Sequence, residues 1–192
     1  MRSYSQTLET DDRMAARYPR EVNVRGGRTL TVTPMVPSDW QMLEDFLYAT
    51  PESERRFFRQ DVKDPERVRH WCSQLDYRNV LPILAWDGDR IVGDAVLERE
   101  NSFWTSHVGT VRMLVRHEFR RLGVGRMLMR ELIEVAGELG LHKLSYPSAG
   151  DQRDLQEFLT TLGFVEEARL QGYICDSSGL LHDMVLMTFD LE

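Results

Sequence analysis

The chain has 192 residues, 42% hydrophobic and 29% charged, with a formal net charge of −7; this is the make-up of a globular chain with a substantial core. The acidic balance argues against general nucleic-acid binding, which needs a basic surface, and leaves room for a cationic substrate. Two cysteines, Cys72 and Cys175, give no disulfide framework, no apolar run reaches the roughly 20 residues that span a bilayer, and the N-terminus lacks an apolar signal core, so the expected setting is reduced, cytoplasmic and free of membrane.

Residues 1–18 are polar and charged, with Asp11, Asp12, Arg13 and Arg17, and read as an arm ahead of a single domain over 19–192. Val22 to Val24 and Thr29 to Val36 alternate like strands around an Arg25-Gly26-Gly27 turn. Ser38 is placed to cap a helix through Trp40, Leu43, Phe46 and Leu47, and Asp64-Pro65 pairs a cap with a first-turn proline for a helix through Val68, Trp71, Cys72 and Leu75. Between them, Glu52 to Asp61 holds Arg55, Arg56, Phe57 and Phe58 and reads either as core packing of the two phenylalanines or as a short helix over a substrate cleft. Val80 to Trp86 and Ile91 to Arg99 form strands joined at Asp87-Gly88.

Val108 to Val115 is short, apolar and β-branched, as a buried strand should be. Arg116 to Leu122 is polar and basic. From Gly123, the residues Val124, Leu128, Leu132, Val135 and Leu139 recur at spacings of three and four, one broad helical stripe. Leu141 to Tyr146 then reads as a strand ended by Pro147. Asp151 is placed to cap a helix through Leu155, Phe158, Leu159 and Leu162 that closes at Gly163. Phe164 to Cys175 and Leu180 to Leu191 make a final hairpin, whose exposed edge is a surface on which a second subunit can pair. The elements predict a mixed α/β fold (α+β), with a mostly antiparallel sheet of about seven strands, about four helices and one parallel crossover.

The chemistry sits where the Gly123 helix begins. A helix N-terminus carries unpaired N–H groups and the positive end of the peptide dipoles. Gly123 and Gly125 let an anion approach the backbone, and Arg120, Arg121 and Arg126 add forked positive donors. This local reading is a phosphate or pyrophosphate cradle. A Walker loop would need Gly-Lys-Ser/Thr, whereas Gly125 is followed by Arg126-Met127; a dinucleotide fold would need a third glycine where Leu128 stands. A nucleotide-binding domain therefore fits poorly.

The pattern Arg120-x-x-Gly123-x-Gly125 after an apolar strand, followed by the Leu162-Gly163-Phe164 corner, resembles the acyl-CoA pyrophosphate loop of the GNAT N-acetyltransferase superfamily. The likeness is closest over about residues 80–165. It implies the GNAT fold, in which two parallel strands splay and the pantetheine arm enters the gap. It implies that backbone groups of Met113, Leu114 and Val115 bond the arm, and that Arg120, Arg121, Leu122, Gly123, Val124, Gly125 and Arg126 hold the pyrophosphate. The activity it implies is transfer of an acyl group, most simply acetyl from acetyl-CoA, to a primary amine by direct attack in a ternary complex.

Such chemistry requires a neutral amine, a donor to the thioester oxygen and a fate for the thiolate. The family often places a tyrosine acid four residues before the corner glycine, where this chain has Leu159; Gln152 stands at a common asparagine position. Tyr146 and Tyr173 are the substitute acids. His107 and Glu98 are the base candidates, with Glu100 and Asp94 behind them. The histidines show no metal-ligand spacing, so no metal is expected. The alternative reading is a GNAT-like module that binds acyl-CoA as a sensor without catalysis, which Leu159 keeps open.

Overall fold

The computed structural model describes residues 16–191 apart from Arg56, Arg59, Gln60, Asp61, Lys63 and Asn101. Asp11, Asp12 and Arg13 of the N-terminal arm, and Arg56 and Asp61 of the stretch before the second helix signal, lie outside the described residues.

Among the described residues eight strands occur: β1 Arg20–Val24, β2 Arg28–Pro34, β3 Val80–Asp87, β4 Arg90–Arg99, β5 Val108–Val115, β6 Lys143–Ala149, β7 Val165–Cys175 and β8 Leu181–Asp190. Five α-helices lie wholly within the described residues: α1 Trp40–Tyr48, α2 Glu52–Arg55, α3 Pro65–Ser73, α4 Val124–Glu138 and α5 Arg153–Thr160. The sheet runs β1-β2-β3-β4-β5-β6-β8-β7. The pairs β1·β2, β2·β3, β6·β8 and β7·β8 are antiparallel, and β5·β6 is parallel across α4. The mixed α/β expectation holds; among the described residues the sheet has one strand, and the helices one member, more than the tally of seven and four.

The chain divides into two compact units, one formed by residues up to 50 with 60–96 and 113–129, the other by 51–59, 97–112 and 130–192. In the first, Leu30, Val32, Ile83, Leu84, Trp86, Ile91, Val92, Val124 and Leu128 are buried. The Trp86 indole N–H donates to the Thr33 hydroxyl at 3.0 Å, so its one polar atom is satisfied. Helices α1 and α3 pack on each other. Gly93 of β4 lies so close to α4 that a Cβ there would come within 2.7 Å of Leu128 Cδ1 and 3.2 Å of Val124 Cγ1. The second unit buries Val111, Leu132, Val135, Leu144, Leu159, Phe164 and Val185.

Three local readings need correction. Ser38 is not the cap: the chain enters α1 through a 3-10 turn over Pro37–Asp39, which leaves Ser38 exposed, while Asp39 turns back to accept the Val36 N–H at 3.0 Å. Asp151 is not the cap of α5, since the flanking residue is Gln152, whose side-chain oxygen accepts the Ala149 N–H at 2.9 Å. Pro147 does not end β6, which runs to Ala149 with Pro147 opposite Leu186. By contrast, Asp64 does cap α3, accepting the Glu66 N–H at 3.1 Å with Pro65 in the first turn. The 52–61 stretch starts with the short helix α2, and Phe57 and Phe58 after it are half-buried.

Candidate active site

The parallel register of β5 with β6 consists of three pairs: Val108↔Lys143, Gly109↔Leu144 and Thr110↔Ser145. Five residues of β5, Val111 to Val115, lie beyond it. The chain then passes Arg116 and a 3-10 turn at His117–Phe119 before α4 begins at Val124.

Two residues of this connection take left-handed backbone, Arg121 at φ 60° and Gly123 at φ 94°. The Gly123 carbonyl accepts the Met127 N–H at 2.9 Å and so opens the helix. By position, the amides of Val124, Gly125 and Arg126 precede the first intrahelical donor. A Cβ on Gly123 would meet no atom within 4 Å, so the space beside this backbone is open. The loop's shape and its three arginines suit a doubly charged pyrophosphate.

The loop is braced from both sides. Arg120 Nε donates to the Val115 carbonyl at 3.2 Å, tying the loop to the strand end. The Arg25 N–H, in the β1–β2 turn, donates to the Leu122 carbonyl at 2.9 Å. Sequence patterns missed this second brace, because a turn of Arg and Gly carries no sign of a partner almost a hundred residues on. Arg28 of the same hairpin lies over the Phe119 ring at 5.1 Å and pairs with Asp87 at 2.6 Å. Arg116 is structural. Its Nε donates to the Ile91 carbonyl at 2.7 Å and its guanidinium lies 5.3 Å from the centre of the Phe46 ring. Burial pulls its pKa below the usual arginine value, Arg90 adds to that, and Glu118 and Asp45 oppose it.

The candidate catalytic groups separate clearly. Glu98 on β4 pairs with Arg112 on β5, Oε1 to Nε 3.0 Å. Beside Arg112 in the alternation of β5 stands Thr110, whose hydroxyl bonds that of Ser145 at 3.1 Å. Asp94 belongs to the same face of β4 as Glu98. It lies near enough to Cys72 to add, with Asp39, to the burial that pushes the Cys72 thiol up to about 12. His107 is exposed at the other end of β5. Its carbonyl accepts the His142 and Lys143 amides at 2.9 and 3.2 Å, and its ring stands 6.4 Å from that of His142. Tyr146 is 5% exposed within β6, Tyr173 is 67% exposed on the edge strand β7, and Leu159 is fully buried.

The β7–β8 turn holds a polar cluster that the sequence reading did not single out. Asp176 is buried and accepts from the Ser178 hydroxyl at 2.6 Å, the Ser178 N–H at 2.8 Å and the Leu180 N–H at 3.1 Å. His182 Nε2 lies 2.9 Å from its other oxygen. The Ser178 hydroxyl first, then His182 and the backbone amides, hold the Asp176 carboxyl well below the usual range. His182 Nδ1 lies 3.6 Å from Asp151, and its ring meets Phe57 edge-on at 5.0 Å.

No helix among the described residues is long and apolar enough to cross a membrane. Among curated proteins, none matches the chain in sequence. Solved structures match it in fold. The ribosomal-protein-S5-alanine acetyltransferase from Vibrio fischeri has a TM-score of 0.77 at 16% identity, over 90% of this chain and 97% of its own. yncA from Salmonella typhimurium, solved with its cofactor acetyl-CoA, has a TM-score of 0.73 at 15% identity, over 85% and 94%. A spermidine N-acetyltransferase SpeG chimera from Vibrio cholerae and hSSAT has a TM-score of 0.69 at 17% identity, over 84% and 95%. The model of the acetyltransferase (GNAT) family matches residues 40–164. With that match spanning most of the chain, and with the sheet and loop described above, the chain belongs to the GNAT acetyltransferase family.

Proposed function

We propose that this protein is an acyl-CoA-dependent N-acyltransferase that moves an acetyl group from acetyl-CoA to a primary amine within a ternary complex. The observation that carries the reading is the edge of β5 from Val111 to Val115, which lies beyond the parallel ladder and leads directly into the Arg120–Arg126 helix start. On this reading the amides of Val124, Gly125 and Arg126, with Arg120, Arg121 and Arg126, hold the pyrophosphate. Backbone groups of Met113 to Val115 hold the amides of the pantetheine arm, as a strand edge holds a neighbouring strand.

The amine nitrogen attacks the thioester carbon, the carbonyl oxygen takes the negative charge and accepts a backbone N–H, and the C–S bond breaks as the carbonyl reforms. We assign the amine proton to Glu98 through a water, with His107 the other candidate base. The products are the amide and free CoA. With Leu159 buried at the position of the family's tyrosine, the thiolate leaves without a dedicated acid. A thiol pKa of about 8.5 makes that tolerable. The acceptor is a cationic amine in solution, in keeping with the net charge of −7. Two of the structural neighbours described above are named for amine acceptors, ribosomal-protein-S5-alanine and spermidine.

The test is calorimetric titration with CoA and acetyl-CoA, then thiol release over a panel of polyamines, amino acids, amino sugars and peptides with free N-termini. Micromolar binding with amine-dependent thiol release is expected. Binding without release on any amine would favour the non-catalytic module, and absence of CoA binding would overturn the site.

A further inference from the structure

Within the second unit, the sheet face that carries Glu98 continues onto open hydrocarbon. The hydroxyls of Thr110 and Ser145 bond at 3.1 Å, so these two side chains share a face. Alternation puts Arg112, and with it Glu98, on that face, and puts Pro147 there two residues beyond Ser145. Arg112 and Pro147 each lie two residues past the last parallel rung, Thr110↔Ser145, and so occupy successive positions of one row. The register carries this row from Pro147 to Leu186 of β8 and Ala168 of β7. The next row is Ala149, Met184 and Leu170. Beyond it His182 bonds Asp176 at 2.9 Å and meets the Phe57 ring edge-on, which bounds the floor. Pro147, Ala168, Met184 and Leu186 are half-buried and Leu170 is 40% exposed, whereas Val185 and Met187 on the other face of β8 are buried.

We infer that Pro147, Met184 and Leu186 are specificity-determining residues, and that the acceptor is a primary amine carrying an apolar body of about one aromatic ring on a short spacer. This deepens the acyltransferase reading above and rests on its setting of the amine before Glu98. The Glu98 carboxylate reaches Arg112 on β5, and the apolar floor begins one strand further on, a step of about 4.8 Å that a two-carbon spacer spans. The floor covers two strand spacings by one two-residue step, roughly 10 Å by 7 Å, which is the footprint of one ring. A second copy of the chain would need a face on the order of ten times larger, since each partner in a stable pair buries about 800 Å². A polyamine suits the floor poorly, because its second ammonium would be set on hydrocarbon and lose its water. An aromatic or branched apolar group instead removes both itself and the floor from water.

The experiment compares kcat/KM for acetyl-CoA-dependent thiol release with ethylamine, putrescine and 2-phenylethylamine. In the parent protein 2-phenylethylamine is expected to exceed each of the others about tenfold or more, the scale on which an apolar site separates substrates by apolar bulk. Leu186→Gln and Met184→Gln put an amide into the floor at similar side-chain size. Each should narrow the ratio of 2-phenylethylamine to ethylamine at least threefold. Leu181→Gln, exposed on the other face of β8, should leave that ratio unchanged. No preference for 2-phenylethylamine in the parent would overturn the inference even if both floor variants failed to fold. So would a preference that neither floor variant narrows. A parent dimer that Leu186→Gln dissociates, read by analytical ultracentrifugation, would give the face to a second copy and overturn it as well. Absence of CoA binding, or of thiol release with every amine tried, would instead overturn the acyltransferase reading, and this inference with it.

Discussion

Arg112 Nε stands 3.0 Å from Glu98 Oε1, so the carboxylate proposed above as the base is held by a guanidinium from the neighbouring strand. Both side chains are partly exposed, and the pair contributes less than about 1 kcal/mol to stability. Glu98→Gln is expected to leave the fold and CoA affinity intact and to lower kcat/KM by about 10²–10⁴-fold, as loss of a general base does. Steady-state kinetics beside a CoA titration check this. Unchanged kcat/KM would move the role to another group.

Arg121 is a non-glycine residue in left-handed backbone at φ 60°, and it is exposed. Arg121→Gly should therefore act in opposite directions on two measurements. Relief of the strained dihedral should raise unfolding stability by about 0.5 kcal/mol. Loss of a phosphate charge should weaken CoA binding, with the larger loss at low salt. A variant that is more stable and binds CoA equally well would remove Arg121 from the phosphate site.

At Gly93 the helix that carries the loop meets the sheet without a side chain between them. Gly93→Ala would drive a methyl into Leu128 and Val124. Overpacking of this kind costs about 1–3 kcal/mol. Because Val124 is the first residue of α4, CoA affinity should fall together with thermal stability. A stable Gly93→Ala protein with parental affinity would show that α4 adapts freely.

The depressed pKa of Asp176 has a defined sign in stability against pH. Its ordinary value is 3.8 and its folded value lies lower. Its contribution is therefore fully present above about pH 4 and is lost as pH falls below that towards the folded value. Asp176→Asn keeps the shape and cannot ionise. Urea midpoints at pH 7 and pH 3 should fall further in the parent than in the variant. Parallel falls would contradict the assignment.

The two thiols should differ in native labelling, which also sets the background of a thiol-release assay. Cys175 is exposed, whereas Cys72 is buried with its thiol pushed up to about 12 by burial and the nearby Asp39 and Asp94. A disulfide reagent at pH 8 should modify one thiol per chain, and the second only after unfolding. Rapid reaction of both would show that α3 opens.

Sequence alone determined what depends on near neighbours. The Asp64-Pro65 helix start, the Asp87-Gly88 hairpin, the glycine at φ 94° that opens α4 and the one at φ 99° after α5 are local matters of dihedral angle and adjacent hydrogen bonds. The stripe of Val124, Leu128, Leu132 and Val135 identified the buried side of α4, because helical period and burial are one constraint. The Arg120-x-x-Gly123-x-Gly125 loop was legible for the same reason.

Tertiary structure alone decided the rest, because it brings together residues with no shared pattern. Pro147 reads as the end of a strand, since a proline removes a donor; only the register shows that the strand runs on through it to Ala149, with Pro147 opposite Leu186. The pairing of Glu98 with Arg112, the hydroxyl bond between Thr110 and Ser145 and the docking of Arg25 on Leu122 are contacts across 14, 35 and 97 positions. Polar side chains at such separations carry no periodic signal, so their partners are set only when the strands that bear them are packed side by side.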